Sequence, residues 1–174
     1  MTARVRRQPL TDFEGVVPLL HGIPIFGGLS ESQLREIFKR LQRVSYREGE
    51  VIFKEGDCAS YIYIVEQGRV KLVFDEHGVY LTKAELEPGM CFGETSVIGI
   101  QPHSATTIAM EDCELLILSG ETLGELFETD KALFSILILN IARESCRRLY
   151  KTNKQLVELL SENTDSGVPD IQGY

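Results

Sequence analysis

The chain has 174 residues, with 18 Lys and Arg against 26 Asp and Glu and a net charge of −8. That length suits one well-buried domain, and the charge repels polyanions, which argues against DNA or RNA as the main partner. The 43% apolar and 25% charged fractions are those of an ordinary soluble globular protein.

The four cysteines (Cys58, Cys91, Cys113 and Cys146) stand far apart with no CxxC pair. They read as reduced thiols rather than metal ligands or a disulfide framework, with a cytoplasmic location as the default. Arg4, Arg6 and Arg7 make a basic start, but Asp12 and Glu14 follow at once and Pro18, His21 and Pro24 break the next apolar stretch. Neither a signal peptide nor a membrane span is expected.

In chain order, residues 1–28 are expected to be irregular, with Pro9, Pro18, Pro24 and Gly27-Gly28 as breakers. Ser30 and Gln33 then stand at capping-box spacing before Leu34, Ile37, Phe38 and Leu41, which predicts an amphipathic helix over 31–42. From Val44 to Leu118 the texture becomes short strand-like runs punctuated by glycine. The runs are Val51–Phe53, Tyr61–Val65, Val70–Phe74, Tyr80–Leu86, Ala105–Met110 and Leu115–Leu118. Such spacing points to an all-β sandwich or barrel.

A short helix is expected over Glu121–Phe127, then a break at Thr129-Asp130. Residues 131–161 hold no Gly or Pro and read as one long helix. Ile138, Ala142, Ser145, Leu149, Thr152, Leu156 and Leu159 follow alternating four- and three-residue steps, a coiled-coil seam that implies a homodimer. The polar stretch beyond Ser161 reads as disordered. The domain plan is therefore 1–28 irregular, 29–128 β-domain, 129–161 dimerisation helix and 162–174 tail.

The most informative stretch is Phe92-Gly93-Glu94-Thr95-Ser96-Val97-Ile98-Gly99, continuing through Pro102-His103-Ser104-Ala105-Thr106-Thr107. A glycine that permits close backbone approach precedes a short helical turn, whose first N–H groups can meet a phosphate. This segment resembles the phosphate-binding cassette of the cyclic-nucleotide-binding domain family, which includes cAMP receptor proteins and kinase regulatory subunits. Gly49, Gly56-Asp57, Tyr61–Ile64, Gly68 with Val70, Pro88-Gly89 and Asp112–Leu115 resemble the family's pattern in order and spacing.

The resemblance implies a mainly β fold: an antiparallel, jelly-roll-like β-roll with an N-terminal helix and a long C-terminal helix. It implies a non-catalytic module that senses cAMP, cGMP or a related anionic ligand without a metal. Gly93 and the backbone of Thr95 and Ser96 would face the cyclic phosphate, and Glu94 would accept from the ribose 2′-hydroxyl. Ser104 would supply a phosphate-binding hydroxyl, with Ala105 and Thr106 completing the ligand-binding set. Ser145, Arg147, Arg148 and Thr152 lie in the helix region that covers the base in the family.

His103 departs from the pattern, because the family's phosphate-binding arginine should stand there. Histidine lacks the permanent charge and the bidentate fork of arginine. Three readings stay open: a protonatable phosphate contact, part of a site for another ligand, or a surface turn residue in a fold that has lost its ligand. The alternative function is accordingly a ligand-free dimerisation or protein-interaction domain. With His21, His77 and His103 isolated from one another, a metal enzyme on a similar roll is not expected. A signal is expected to pass through a partner polypeptide or through the chain's own oligomeric state.

Overall fold

The structure is a computed structural model and describes residues 7–76 and 79–165. The described residues divide into two compact units, the first ending at Ile141 and the second beginning at Ala142. The first is a β-roll of two antiparallel sheets with helices packed on one side. The strands are β1 (Gln8–Pro9), β2 (Gln42–Tyr46), β3 (Val51–Phe53), β4 (Tyr61–Gln67), β5 (Val70–Glu76), β6 (Val79–Leu86), β7 (Cys91–Phe92), β8 (Thr106–Ala109) and β9 (Cys113–Ser119). One sheet runs β1-β2-β9-β4-β7 and the other β3-β8-β5-β6.

The helices are α1 (Phe13–Gly22), α2 (Glu31–Phe38), α3 (Glu94–Gly99), α4 (Gly120–Thr129) and α5 (Lys131–Asp165). The second unit, over its described residues 142–165, is the continuation of α5. The tail expected from residue 162 lies, from 166 onward, outside the described residues.

The two faces of β4 and β9 explain why Tyr61–Val65 and Leu115–Leu118 are apolar at every step rather than alternating. Tyr63, Val65, Leu115 and Ile117 face the roll interior, while Ile62, Ile64, Leu116 and Leu118 face a second core formed with the helices. A sheet buried on both faces reads as a continuous apolar run. The helical core collects Val16 and Leu20 of α1, Leu34 and Ile37 of α2, Leu123 and Leu126 of α4, and Leu133, Leu137 and Ile141 from the start of α5.

The irregular segment expected over 1–28 gives way to α1 and to a short 3₁₀ turn at Pro24–Phe26. The breakers hid a helical period: Phe13, Val16, Val17 and Leu20 follow i, i+3, i+4 and i+7 spacing, and Asp12 caps the helix by accepting from the Gly15 N–H. Pro18 sits inside this helix. Complete burial of Leu20 and near-complete burial of Val16 offset the hydrogen bond that proline removes.

Helix α2 begins with the expected capping box, Ser30 and Gln33 exchanging both hydrogen bonds. It stops at Phe38 rather than 42, because the chain must be extended from Gln42 to pair with β9. Asp130 accepts from the Leu133 N–H at the start of α5, as expected of a cap. Among the described residues, no helix is long and apolar enough to cross a membrane.

Candidate functional site

The junction between β7 and α3 is built around Gly93. Strand β7 is held against β4 through Tyr63 opposite Phe92 and Ile64 opposite Cys91. The chain must then turn sharply into α3, and Gly93 does so at φ +80°, in the left-handed region. A Cβ at this position would lie 2.9 Å from the Tyr61 carbonyl oxygen, 3.4 Å from Tyr63 Cδ2 and 3.5 Å from His103 Cε1. Conformation and space thus both demand glycine.

Gly93 caps α3 without a side chain, so the helix opens with bare backbone N–H groups. The Gly93 carbonyl accepts from the Val97 N–H at 3.1 Å. Glu94, only 1% exposed, and Ser96 are buried in this first turn, whereas Thr95 points outward and is exposed. A carboxylate with so little access to water must be held by polar neighbours or neutralised.

The segment that returns from α3 is laced to the turn after β3. The His103 N–H donates to the Asp57 carbonyl at 2.9 Å, and the Gly56 N–H donates to the His103 carbonyl at 2.9 Å. The Thr106 hydroxyl accepts from the Glu55 N–H at 3.0 Å, and the Asp57 carboxylate accepts from the Lys54 N–H at 2.8 Å. Ser104 is exposed and Ala105 buried.

His103 is not the surface turn side chain that one sequence reading allowed: it is 5% exposed. Its imidazole stacks on the Phe53 ring, with centroids 3.6 Å apart and planes 9° apart. Phe53 also meets Tyr63 at 5.4 Å and Phe92 at 5.9 Å, and Tyr63 stacks on Phe92 at 5.1 Å. The stack buries one face of the imidazole against an aromatic ring. Burial pushes the His103 pKa below its ordinary value, opposed by the negative charge of Asp57. Burial likewise raises that of the Tyr63 phenol.

The structure therefore sets the His103 ring beside Gly93, with Glu94 and Ser96 buried in the helical turn that follows. Thr95 and Ser104 are exposed, and the Thr106 hydroxyl is engaged by the 54–57 turn. Arg147 and Arg148, expected near a base, each pair with Glu144 on their own helix, and Ser145 and Thr152 share that helix. The aromatic surround of Phe53, Tyr63 and Phe92 was missed at the level of sequence. Its signal was present, since all three belong to strand runs that face the interior. Among the described residues no group of three or more His, Cys, Asp or Glu is placed to hold a metal ion.

A family model described as the cyclic nucleotide-binding domain matches residues 43–130, half of the chain. The cyclic AMP receptor protein of Thermus thermophilus is 35% identical over 144 residues, covering 82% of this chain and 64% of that protein. A cAMP-dependent protein kinase regulatory subunit of Yarrowia lipolytica is 29% identical over 151 residues, covering 84% of this chain and 39% of the subunit. The crystal structure of a cyclic nucleotide-binding domain from Methylobacillus flagellatus superposes with a TM-score of 0.74 over 92% of this chain and 86% of its own, at 20% identity. That last likeness is one of fold. The chain spans less than two thirds of either curated relative.

Proposed function

The chain belongs to the cyclic nucleotide-binding domain family, and on that premise we propose that it is a non-catalytic sensing module that binds cAMP or cGMP and signals through its C-terminal helix to an effector protein. The observation that carries the reading is the Gly93 junction: a left-handed glycine with no room for a Cβ, followed at once by a buried carboxylate at Glu94. A bare helix start receives an anion, and a buried acceptor beside it receives a hydroxyl. The cyclic phosphate faces Gly93 and the Thr95 and Ser96 amides, Glu94 takes the ribose 2′-hydroxyl, and Ser104, Ala105 and Thr106 complete the surround. His103 stands in the place of the family's arginine. Occupancy shifts the module between two states of its C-terminal helix, by no more than the ligand's differential affinity for them.

A thermal-shift series with cAMP, cGMP, AMP and GMP tests this reading. Stabilisation by a cyclic nucleotide, and less by its linear counterpart, supports it. The same unfolding temperature in all four solutions at millimolar ligand rejects it.

Output through a homodimer is supported by the seam on α5, where Leu149, Leu156 and Leu159 are all more than half exposed. Apolar side chains repeating at this spacing on an exposed helix fit a second copy of the same helix. Replacing Leu149 and Leu156 together by glutamate is expected to give a folded monomer. Light scattering checks it: an unchanged molecular mass would contradict the seam.

A second reading rests on one specific observation. The His103 ring, stacked on Phe53, already lies against Gly93. A side chain that occupies the space beside the cassette fits a ligand-free interaction domain, for which all four thermal-shift curves coincide.

A further inference from the structure

Thr107 is absent from the proposed ligand-binding set, yet its polar side chain is wholly buried in the roll. It is 0% exposed, and its hydroxyl oxygen is buried with no hydrogen-bond partner. Its place in β8 fixes where the side chain faces. Thr107 is registered opposite Phe53 of β3 and opposite Leu72 of β5. Phe53 belongs to the interior core and Leu72 packs against it; Ala109, two residues on, is in the core as well. Side chains two apart share a face, so Thr107 faces the interior, whereas the neighbouring Thr106 hydroxyl is engaged by the Glu55 amide. The β3–β8 register also shifts between Val51 and Phe53, an irregularity of the kind that re-aims a side chain.

A buried hydroxyl without a partner is a net cost, and valine would fill the same volume without it. The strand register also links Thr107 to the cassette through Phe53. Registered neighbours on one face have Cβ atoms about 5 Å apart, and the ring of its neighbour Phe53 carries His103, whose edge touches the space beside Gly93.

We propose that Thr107 is a further ligand-contacting residue: its hydroxyl donates to the phosphate end of the bound cyclic nucleotide, on the interior side of the site opposite the α3 amides. This rests on the cyclic-nucleotide reading above. A neutral donor here supplies part of what a permanent cation would give the anion. The contact also explains why a polar atom is retained among Phe53, Leu72 and Ala109.

The test compares wild type, Thr107→Val and Thr107→Ser by calorimetric titration with cAMP and cGMP and by thermal unfolding without ligand. Thr107→Val is expected to raise the ligand-free Tm by about 2–4 °C, as an unsatisfied hydroxyl is removed. It is expected to weaken nucleotide binding about tenfold, while Thr107→Ser, which keeps the hydroxyl, stays within about threefold of wild type. Wild-type affinity in Thr107→Val would overturn the role of Thr107 and leave the cyclic-nucleotide reading standing. Equal losses in the valine and serine variants would also overturn it, because packing rather than the hydroxyl would then be at work. If wild type bound neither nucleotide, the reading itself would fail and this contact with it.

Discussion

Replacing His103 by arginine is expected to tighten cyclic-nucleotide binding at pH 8 by about ten- to a hundredfold, the worth of roughly 1.5–3 kcal/mol for a charge-assisted contact to phosphate. The effect follows from where the wild-type ring sits. Burial against Phe53 holds its pKa below the ordinary histidine value, with Asp57 opposing, so the free imidazole is mostly uncharged at neutral pH and above. An anion in the site favours imidazolium, so the pKa in the complex lies above that of the free protein. Affinity is then greatest at low pH and falls as pH rises through the window between the two values, by up to about tenfold per unit. Arginine carries its charge throughout, so the variant's affinity is expected to be flat from pH 6 to pH 8. His103→Gln, neutral at every pH, is expected to be flat as well, at the weak level. Titrations of the three proteins across that range check the whole pattern. A wild-type affinity that does not change with pH would remove histidine from the phosphate contact.

The second large effect is at Gly93. Alanine there is expected to destabilise the domain by about 2–4 kcal/mol, combining the penalty for a left-handed backbone with overpacking. The new Cβ would sit 2.9 Å from the Tyr61 carbonyl, a backbone atom in β4 that cannot rotate away. For a domain of this size the Tm falls by roughly 5–15 °C, and nucleotide-dependent stabilisation is lost as the β7–α3 junction shifts. Gly49 makes the control: it too has a positive φ, +79°, but an added Cβ meets nothing within 4 Å. Its alanine variant carries only the conformational penalty, about 1 kcal/mol. Urea unfolding of both proteins separates the two terms, and equal losses would mean that the close approach at Gly93 is relaxed without cost.

The β-roll was legible because its punctuation is local. Three of the strand runs end at glycines that the structure places at positive φ, Gly56, Gly68 and Gly89, and the Ser30–Gln33 box carries its own geometry. What stayed hidden depends on tertiary partners. Strand β2 is revealed only by its pairing with β9, and β7, two residues long, only by β4. Helix α1 was masked by prolines whose cost is offset by a core that no local rule foresees.

At the site, Gly93 and Glu94 were named through the resemblance of the 92–107 stretch to the family's cassette. The direction of the His103 side chain could not be read in this way, because nothing in Pro102-His103-Ser104 says that the ring will turn toward Phe53, fifty residues earlier. Thr107 escaped for a related reason. Next to Thr106 it looks like one of a pair, and only the strand register gives the two hydroxyls opposite surroundings.

The most direct test is calorimetric titration of the wild-type chain with cAMP and cGMP at pH 6. Saturable binding with one nucleotide per chain is the predicted result. No heat and no competition at millimolar concentrations of either nucleotide would contradict a sensing role, and would leave the roll a protein-interaction domain with His103 filling a disused site.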